Sequence, residues 1–107
     1  MLTATLDDTP TARDFAALLP LRLTLEDYAA TEKISDLPRR LSIAEAPVGT
    51  TPSAGDIAYY APWGNLALFH RPFRYSEGLV RLGRIDTGVE VLRPPGPLAV
   101  TIERVEK

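Results

Sequence analysis

The sequence predicts a mostly β domain, a barrel or sandwich of seven or eight short strands carrying one main helix. Two observations lead there. Apolar residues alternate with polar ones over short runs, and Gly and Pro turn signals separate those runs. Only one stretch, Pro10 to Leu19, combines helical apolar spacing with start and stop signals. Short strands punctuated in this way favour a barrel or sandwich over a layered α/β architecture.

Leu2 to Leu6 alternates apolar residues with Thr and Ala, a first short strand that Asp7 and Asp8 end. Thr9 is the expected helix N-cap, and Pro10 occupies the first helical position, where its missing N–H costs nothing. Phe15, Leu18 and Leu19 share one face with Ala12 beside them, Asp14 near the helix start favours the dipole, and Pro20 stops the helix. That gives a helix of about three turns. Leu21, Leu23 and Leu25 alternate with Arg22 and Thr24, a half-buried strand.

Residues 26–55 read as short strands or turns with loop between them. Ile34, Leu37, Leu41 and Ile43 are spaced among turn formers, and Pro38, Pro47, Gly49, Pro52 and Gly55 break any long element. Asp56 to Ala61 and Leu66 to His70 form a β-hairpin across the tight connection Pro62-Trp63-Gly64-Asn65. Leu79 to Ile85 is a further strand, with a bulge or close backbone approach expected at Gly83. Val89 to Leu92 is short, Pro94-Pro95-Gly96-Pro97 is a stiff turn, and Ala99 to Val105 is the last strand.

The 107 residues fit a single domain spanning 1–107, with no internal repeat or linker. Hydrophobic residues at 45% and charged residues at 24% give an ordinary globular balance. Without Cys, a disulfide, a thiolate metal site and a cysteine nucleophile are excluded. The net charge of −2 does not attract nucleic acid. Arg71, Arg74, Arg81, Arg84 and Arg93 fall within a short span, but no consecutive basic run or basic helix accompanies them, so they read as solvated strand-face residues. No apolar run approaches the roughly 18 residues that span a bilayer. The cytoplasm is the expected compartment unless a leader has been removed.

No phosphate loop, dinucleotide fingerprint, metal-ligand spacing or Gly-x-Ser-x-Gly elbow is present, so no cofactor and no metal are expected. The candidate ligand residues lie on or beside the hairpin. Trp63 on the connection can stack on a ring of a ligand or fold back as a plug over the barrel end. Tyr59 and Tyr60 face opposite sides of their strand, one toward the core and one toward the outer face or a cleft. Asn65 suits the left-handed geometry of a tight turn. Glu32-Lys33, after Tyr28, pairs a carboxylate with an ammonium; such a pair can do acid–base work, though it is ordinarily a solvated surface element. Tyr28 reads as a packing residue whose hydroxyl finds a partner. His70, the only histidine, reads as a surface or strand-end residue.

Three stretches resemble cyclophilins. Leu6 to Leu19, with Asp-Asp-Thr-Pro-Thr-Ala-Arg-Asp-Phe-Ala-Ala-Leu, is similar to the cyclophilin passage from a strand into the first helix. Gly55-Asp56-Ile57, followed by Asn65 and Phe69, resembles the strand pair that carries an Asn and a Phe of the proline-binding wall. Leu82-Gly83-Arg84-Ile85, with Gly88 and Val89 to Leu92 and then Pro97 to Val105, resembles the Phe-Gly-Arg-Val segment and the final strand. Over nearly its full length the chain looks closer still to a compact bacterial cyclophilin-like group, through Leu25-Glu26-Asp27-Tyr28, Glu32-Lys33 and the run from Gly55 to Ala67. The resemblance implies a closed barrel of about eight strands, and the compact group brings no established activity with it.

Against that resemblance, the Phe-His-Arg and Phe-Met-x-Gln-Gly-Gly-Asp segments on which cyclophilin isomerisation relies are absent. Arg39 and Arg40 lie in the corresponding region within Leu37-Pro38-Arg39-Arg40-Leu41, without those neighbours. The leading expectation is therefore a binding module that holds a peptide or small-molecule ligand near Tyr59, Trp63, Asn65 and Phe69. A prolyl cis–trans isomerase is the alternative, with Arg39, Arg40 and Glu32 as weak catalytic candidates. A structural or oligomerising protein paired through sheet edges is the third reading, and the sequence leaves the oligomeric state open.

Overall fold

A computed structural model describes residues 2–105. The chain opens with strand β1 (Thr3–Leu6), helix α1 (Pro10–Ala16), β2 (Leu21–Tyr28) and β3 (Glu32–Asp36). A two-residue β4 (Gly49–Thr50) precedes β5 (Asp56–Tyr60) and β6 (Asn65–Phe69). Then come β7 (Ser76–Glu77), the long β8 (Leu79–Thr87), a 3-10 turn over Val89–Leu92, and β9 (Leu98–Ile102). Seven strands form one antiparallel sheet in the order β1-β8-β5-β6-β3-β2-β9, and β4 pairs with β7 in a separate ribbon.

The fold is mostly β, as the turn-punctuated alternation predicts, but the sheet is an open half-barrel and not a closed one. Its edge strands β1 and β9 do not pair among the described residues. Helix α1 runs from one edge strand toward the neighbour of the other. Just after β9, Arg104 donates from Nη2 to the Ala16 carbonyl at the end of α1 (3.3 Å).

The helix begins as expected. Thr9 caps it by accepting from the Ala12 N–H (3.2 Å), and Pro10 opens it. It ends at Ala16 rather than Leu19, so it has seven residues, about two turns and not three. Asp14 is also not spent on the dipole. Its carboxylate accepts from both Arg39 Nη atoms (3.1 and 2.9 Å) and from the Ser42 N–H (2.7 Å), which straps α1 to the segment after β3. These partners hold the Asp14 carboxyl below its ordinary value, the Arg39 hydrogen bonds contributing most.

The expected hairpin is present. β5 and β6 pair from Ile57↔Leu68 to Tyr60↔Asn65, and the connection is Ala61 to Gly64. Gly64 supplies the left-handed residue (φ +68), so Asn65 is free to be a strand residue. At Gly83 an added Cβ would lie 2.3 Å from the Thr5 carbonyl oxygen of β1, and Leu82 is the extra residue between the Ile57↔Gly83 and Ala58↔Arg81 pairs. The close approach and the bulge expected there coincide.

Residues 26–36 are more regular than the sequence suggests. β2 continues to Tyr28 and pairs with β3 through Glu26↔Ile34, Asp27↔Lys33 and Tyr28↔Glu32. The intervening turn holds Ala29 and Ala30 at φ +55, a conformation in which alanine gives no local signal.

Strand alternation splits the side chains between two apolar clusters. The larger, inner one joins Phe15 of α1 to Leu25, Ile57, Tyr59, Leu66, Leu82 and Leu92. The smaller, outer one consists of Ala58, Ala67, Phe69 and Leu79, with Ile34, Tyr60 and Phe73 packed against it.

Candidate functional site

The outer cluster borders the candidate site, and register explains its composition. Tyr28 stands opposite Glu32, and Glu32 opposite Phe69. Ile34, Ala67 and Ala58 form the next rung. Asn65, Tyr60 and Leu79 form a third. Two residues separate successive rungs on each strand, so all three lie on one face of the sheet. The middle rung carries two alanines, whose small side chains leave room for Phe73 from the segment between β6 and β7. That segment also brings Arg74, whose guanidinium lies 4.7 Å from the Phe73 ring centroid.

Between these side chains is a pocket of about 160 Å³. Tyr28, Glu32, Tyr60, Trp63, Asn65 and Phe69 line the sheet side, and Phe73, Arg74 and Ser76 line the excursion side. Trp63 is 53% exposed and stands edge-to-face against both Tyr28 (5.4 Å between centroids) and Tyr60 (5.3 Å), each at 85°. It is therefore a wall of the pocket on the outer face and not a plug over the barrel end.

Two polar groups in the pocket are unusual. Glu32 is only 7% exposed, and no salt bridge joins it to a cation among the described residues. Burial pushes its carboxyl up to about 7. Asn65 is 3% exposed, and its side-chain carbonyl has no hydrogen-bond partner. A buried acceptor left this way costs about 1–3 kcal/mol.

The sequence-derived candidates separate cleanly in space. Glu32, Trp63, Asn65 and Phe69 meet at the pocket. Tyr59 does not; it is 1% exposed in the inner core, where its hydroxyl accepts from the Leu41 N–H (3.1 Å). Its neighbour Tyr60 takes the pocket position, as alternation along β5 requires. Arg39 is held by Asp14, and Arg40 donates to the Ala61 carbonyl (2.7 Å), so neither lines the pocket.

Three expectations are corrected. Glu32 and Lys33 are not a solvated pair: both are buried in β3 and point to opposite faces. Lys33, 1% exposed, donates from Nζ to Asp27 Oδ1 (2.6 Å) and to the Gly96 carbonyl (2.7 Å). Asp27 Oδ2 in turn accepts from the Gly96 N–H (2.6 Å). The Lys33 hydrogen bond, followed by that of Gly96, holds the Asp27 carboxyl low. Asn65 is not a turn residue, for the reason given by Gly64. His70 is buried, with Nδ1 unpartnered. Burial, aided by nearby Arg71, Lys33 and Arg93, shifts it down and favours the neutral ring.

Sequence reasoning missed Tyr28, Phe73 and Arg74 as pocket residues. Tyr28 follows once the β2–β3 hairpin is known. The segment bearing Phe73 and Arg74 carries no periodicity that would direct it over the sheet.

A family model described as the Cyclophilin-like family matches residues 1–103. The chain belongs to the cyclophilin-like family. No curated protein and no solved structure gives a match. This cyclophilin-like domain has an antiparallel sheet with a leading helix, and its pocket is lined by Glu32, Asn65 and a Trp63 ring that contacts both Tyr28 and Tyr60. No described helix is long and apolar enough to cross a membrane.

Proposed function

We propose that this cyclophilin-like domain is a binding module whose outer-face pocket seats one ring-sized group of a peptide or small ligand. The observation that carries this reading is the pairing of an apolar, ring-lined recess with two buried polar side chains, Asn65, whose carbonyl has no partner, and Glu32, which no described cation pairs. Folding alone gives no return for such groups, whereas a ligand that meets them does.

Size narrows the occupant. A cavity of ~150 Å³ accommodates a benzene-sized ring, and this pocket is about 160 Å³. Sites for whole drug-sized molecules run to roughly 300–1,000 Å³. The pocket suits a side chain or a single ring with its substituent, the remainder of the ligand lying outside.

The isomerase alternative needs a hydrogen-bond donor beside a prolyl nitrogen. Arg39 and Arg40 are engaged elsewhere, which weighs against the two donors that chain position suggests. The binding reading is tested by titrating the protein with ring-bearing fragments and with Ala-Pro peptides, following Trp63 fluorescence and amide chemical shifts. Saturable shifts at Glu32, Asn65 and Trp63, lost in Tyr60→Leu, are expected. Absence of any shift there up to millimolar ligand overturns it. Acceleration of Ala-Pro cis–trans relaxation by the same protein supports the alternative.

A further inference from the structure

Resting on the binding reading, we infer that the group seated in the pocket is an organic ammonium ion: a protonated amine on a short apolar stem, held between the faces of Tyr28, Tyr60 and Trp63 and hydrogen-bonded to Glu32 and Asn65.

The geometry supplies what such an ion needs. Trp63 stands at 85° to both Tyr28 and Tyr60, with centroids 5.4 and 5.3 Å away, so ring planes meet at a corner rather than stacking flat. A ring that turns its π-face to the recess is an electrostatic seat for a cation. The unsatisfied groups beneath have matching polarity. The Asn65 side-chain carbonyl is an acceptor without a donor, and Glu32 is a carboxyl without a cation. An ammonium group carries donors and no acceptor, so it satisfies both at once. A carboxylate would meet the Asn65 oxygen and the Glu32 carboxyl as like charge or lone pair against lone pair, which is unfavourable.

The other polar and titratable groups around the recess are consistent with this. Tyr28 stands opposite Glu32 on β2, Tyr60 lines the recess from the Asn65 rung on β5, and Arg74 and Ser76 come from the excursion. Arg74 is the one cationic side chain lining the recess, and its charge is placed over the Phe73 ring at the exposed rim. Lys33 belongs to the opposite face and is committed to Asp27 and Gly96. The high affinity of the Glu32 carboxyl for its proton fits a site in which the counter-cation arrives with the ligand.

The test compares three probes of one size: benzylammonium, benzyl alcohol and benzoate, each titrated against the intact protein with Trp63 fluorescence and amide shifts as readouts. Benzylammonium is expected to bind at least about tenfold more tightly than benzyl alcohol, with benzoate weakest. Its affinity should rise as pH passes upward through 7 and Glu32 ionises, while that of benzyl alcohol stays flat. Glu32→Gln should abolish both the preference for the ammonium and the pH dependence. Trp63→Leu, at an exposed position that does not threaten the fold, should weaken benzylammonium more than benzyl alcohol. Equal binding of the alcohol and the ammonium, or tighter binding of benzoate, overturns the ammonium assignment and leaves the pocket reading standing. No shift with any probe overturns both.

Discussion

Glu32 and Lys33 are neighbours in one strand, and they end in opposite circumstances. Lys33 points to the inner side and meets a carboxylate and a carbonyl at hydrogen-bond distance, while Asp27 closes the loop through the Gly96 N–H. Glu32 points to the outer side into a ring-lined pocket and has no cation to pair with among the described residues. Both side chains are buried. The first site is complete without a ligand and ties the β2–β3 hairpin to the turn before β9. On the same outer face, the Asn65 side-chain carbonyl is left without a partner. The satisfied clasp serves architecture, whereas on the proposed binding reading the Asn65 acceptor is a group that an occupant would meet.

The contrast can be broken most forcefully on the inner side. Lys33→Met removes two charge-assisted hydrogen bonds from a fully buried position. The unfolding free energy measured by urea titration is expected to fall by about 3 kcal/mol. A change under about 0.5 kcal/mol would mean that the clasp is ornamental.

On the outer side the sign reverses, and pH reveals it. Glu32 holds its proton more tightly in the folded chain, at about 7, than at the ordinary value of 4.5. Its contribution to stability is therefore fully present below 4.5, is lost as pH rises toward and through 7, and stays lost above that. Glu32→Gln should be about as stable as the parent at pH 4 and more stable by about 3 kcal/mol at pH 8, by the free energy of a pKa displacement of this size. Thermal or urea denaturation at the two pH values checks this. Asp27 runs the other way: its folded value lies below 3.8, so its contribution is present above that value and lost in stronger acid.

The smallest effect is expected at Asn65. Asn65→Val replaces an orphaned acceptor with apolar volume and should stabilise the protein by about 1 kcal/mol, while weakening any ligand that donates to it. Destabilisation instead would show that the Asn65 amide is satisfied within the fold, and the comparison with Lys33 would lose half its force.

The strand and helix signals were legible where they are local. Thr9-Pro10 announces α1, Pro62-Trp63-Gly64-Asn65 announces the β5–β6 hairpin, and Gly83 announces the bulge against β1. The half of the pocket contributed by that hairpin, Trp63, Asn65 and Phe69, came with it. The β2–β3 hairpin was hidden because its turn uses Ala29 and Ala30 in a conformation normally signalled by Gly or Asn. Missing that hairpin made Glu32 and Lys33 look like a solvated pair, when register alone puts Glu32 beside Phe69 on the outer face. Alternation along β5 states that Tyr59 and Tyr60 face opposite sides but not which of them faces the core, so the sequence does not single out Tyr60 as the pocket residue. Phe73 and Arg74 reach the pocket through long-range packing, and nothing in their own neighbourhood encodes it.

The outer wall of the pocket is attached differently from its floor. Phe73, Arg74 and Ser76 belong to an excursion tethered by the two-rung β4–β7 ribbon and by backbone bonds such as Phe73 N–H to Pro52 (3.2 Å) and Gly78 N–H to Val48 (2.8 Å). The floor belongs to the interior of a seven-stranded sheet. Segments with so few anchoring bonds open at a lower free energy than the sheet beneath them. Amide exchange at Phe73 and Gly78 should accordingly be faster than at Ala58 or Ala67. The residence time of an occupant would then be governed by the opening rate of this flap, with the unfolding of the domain playing no part.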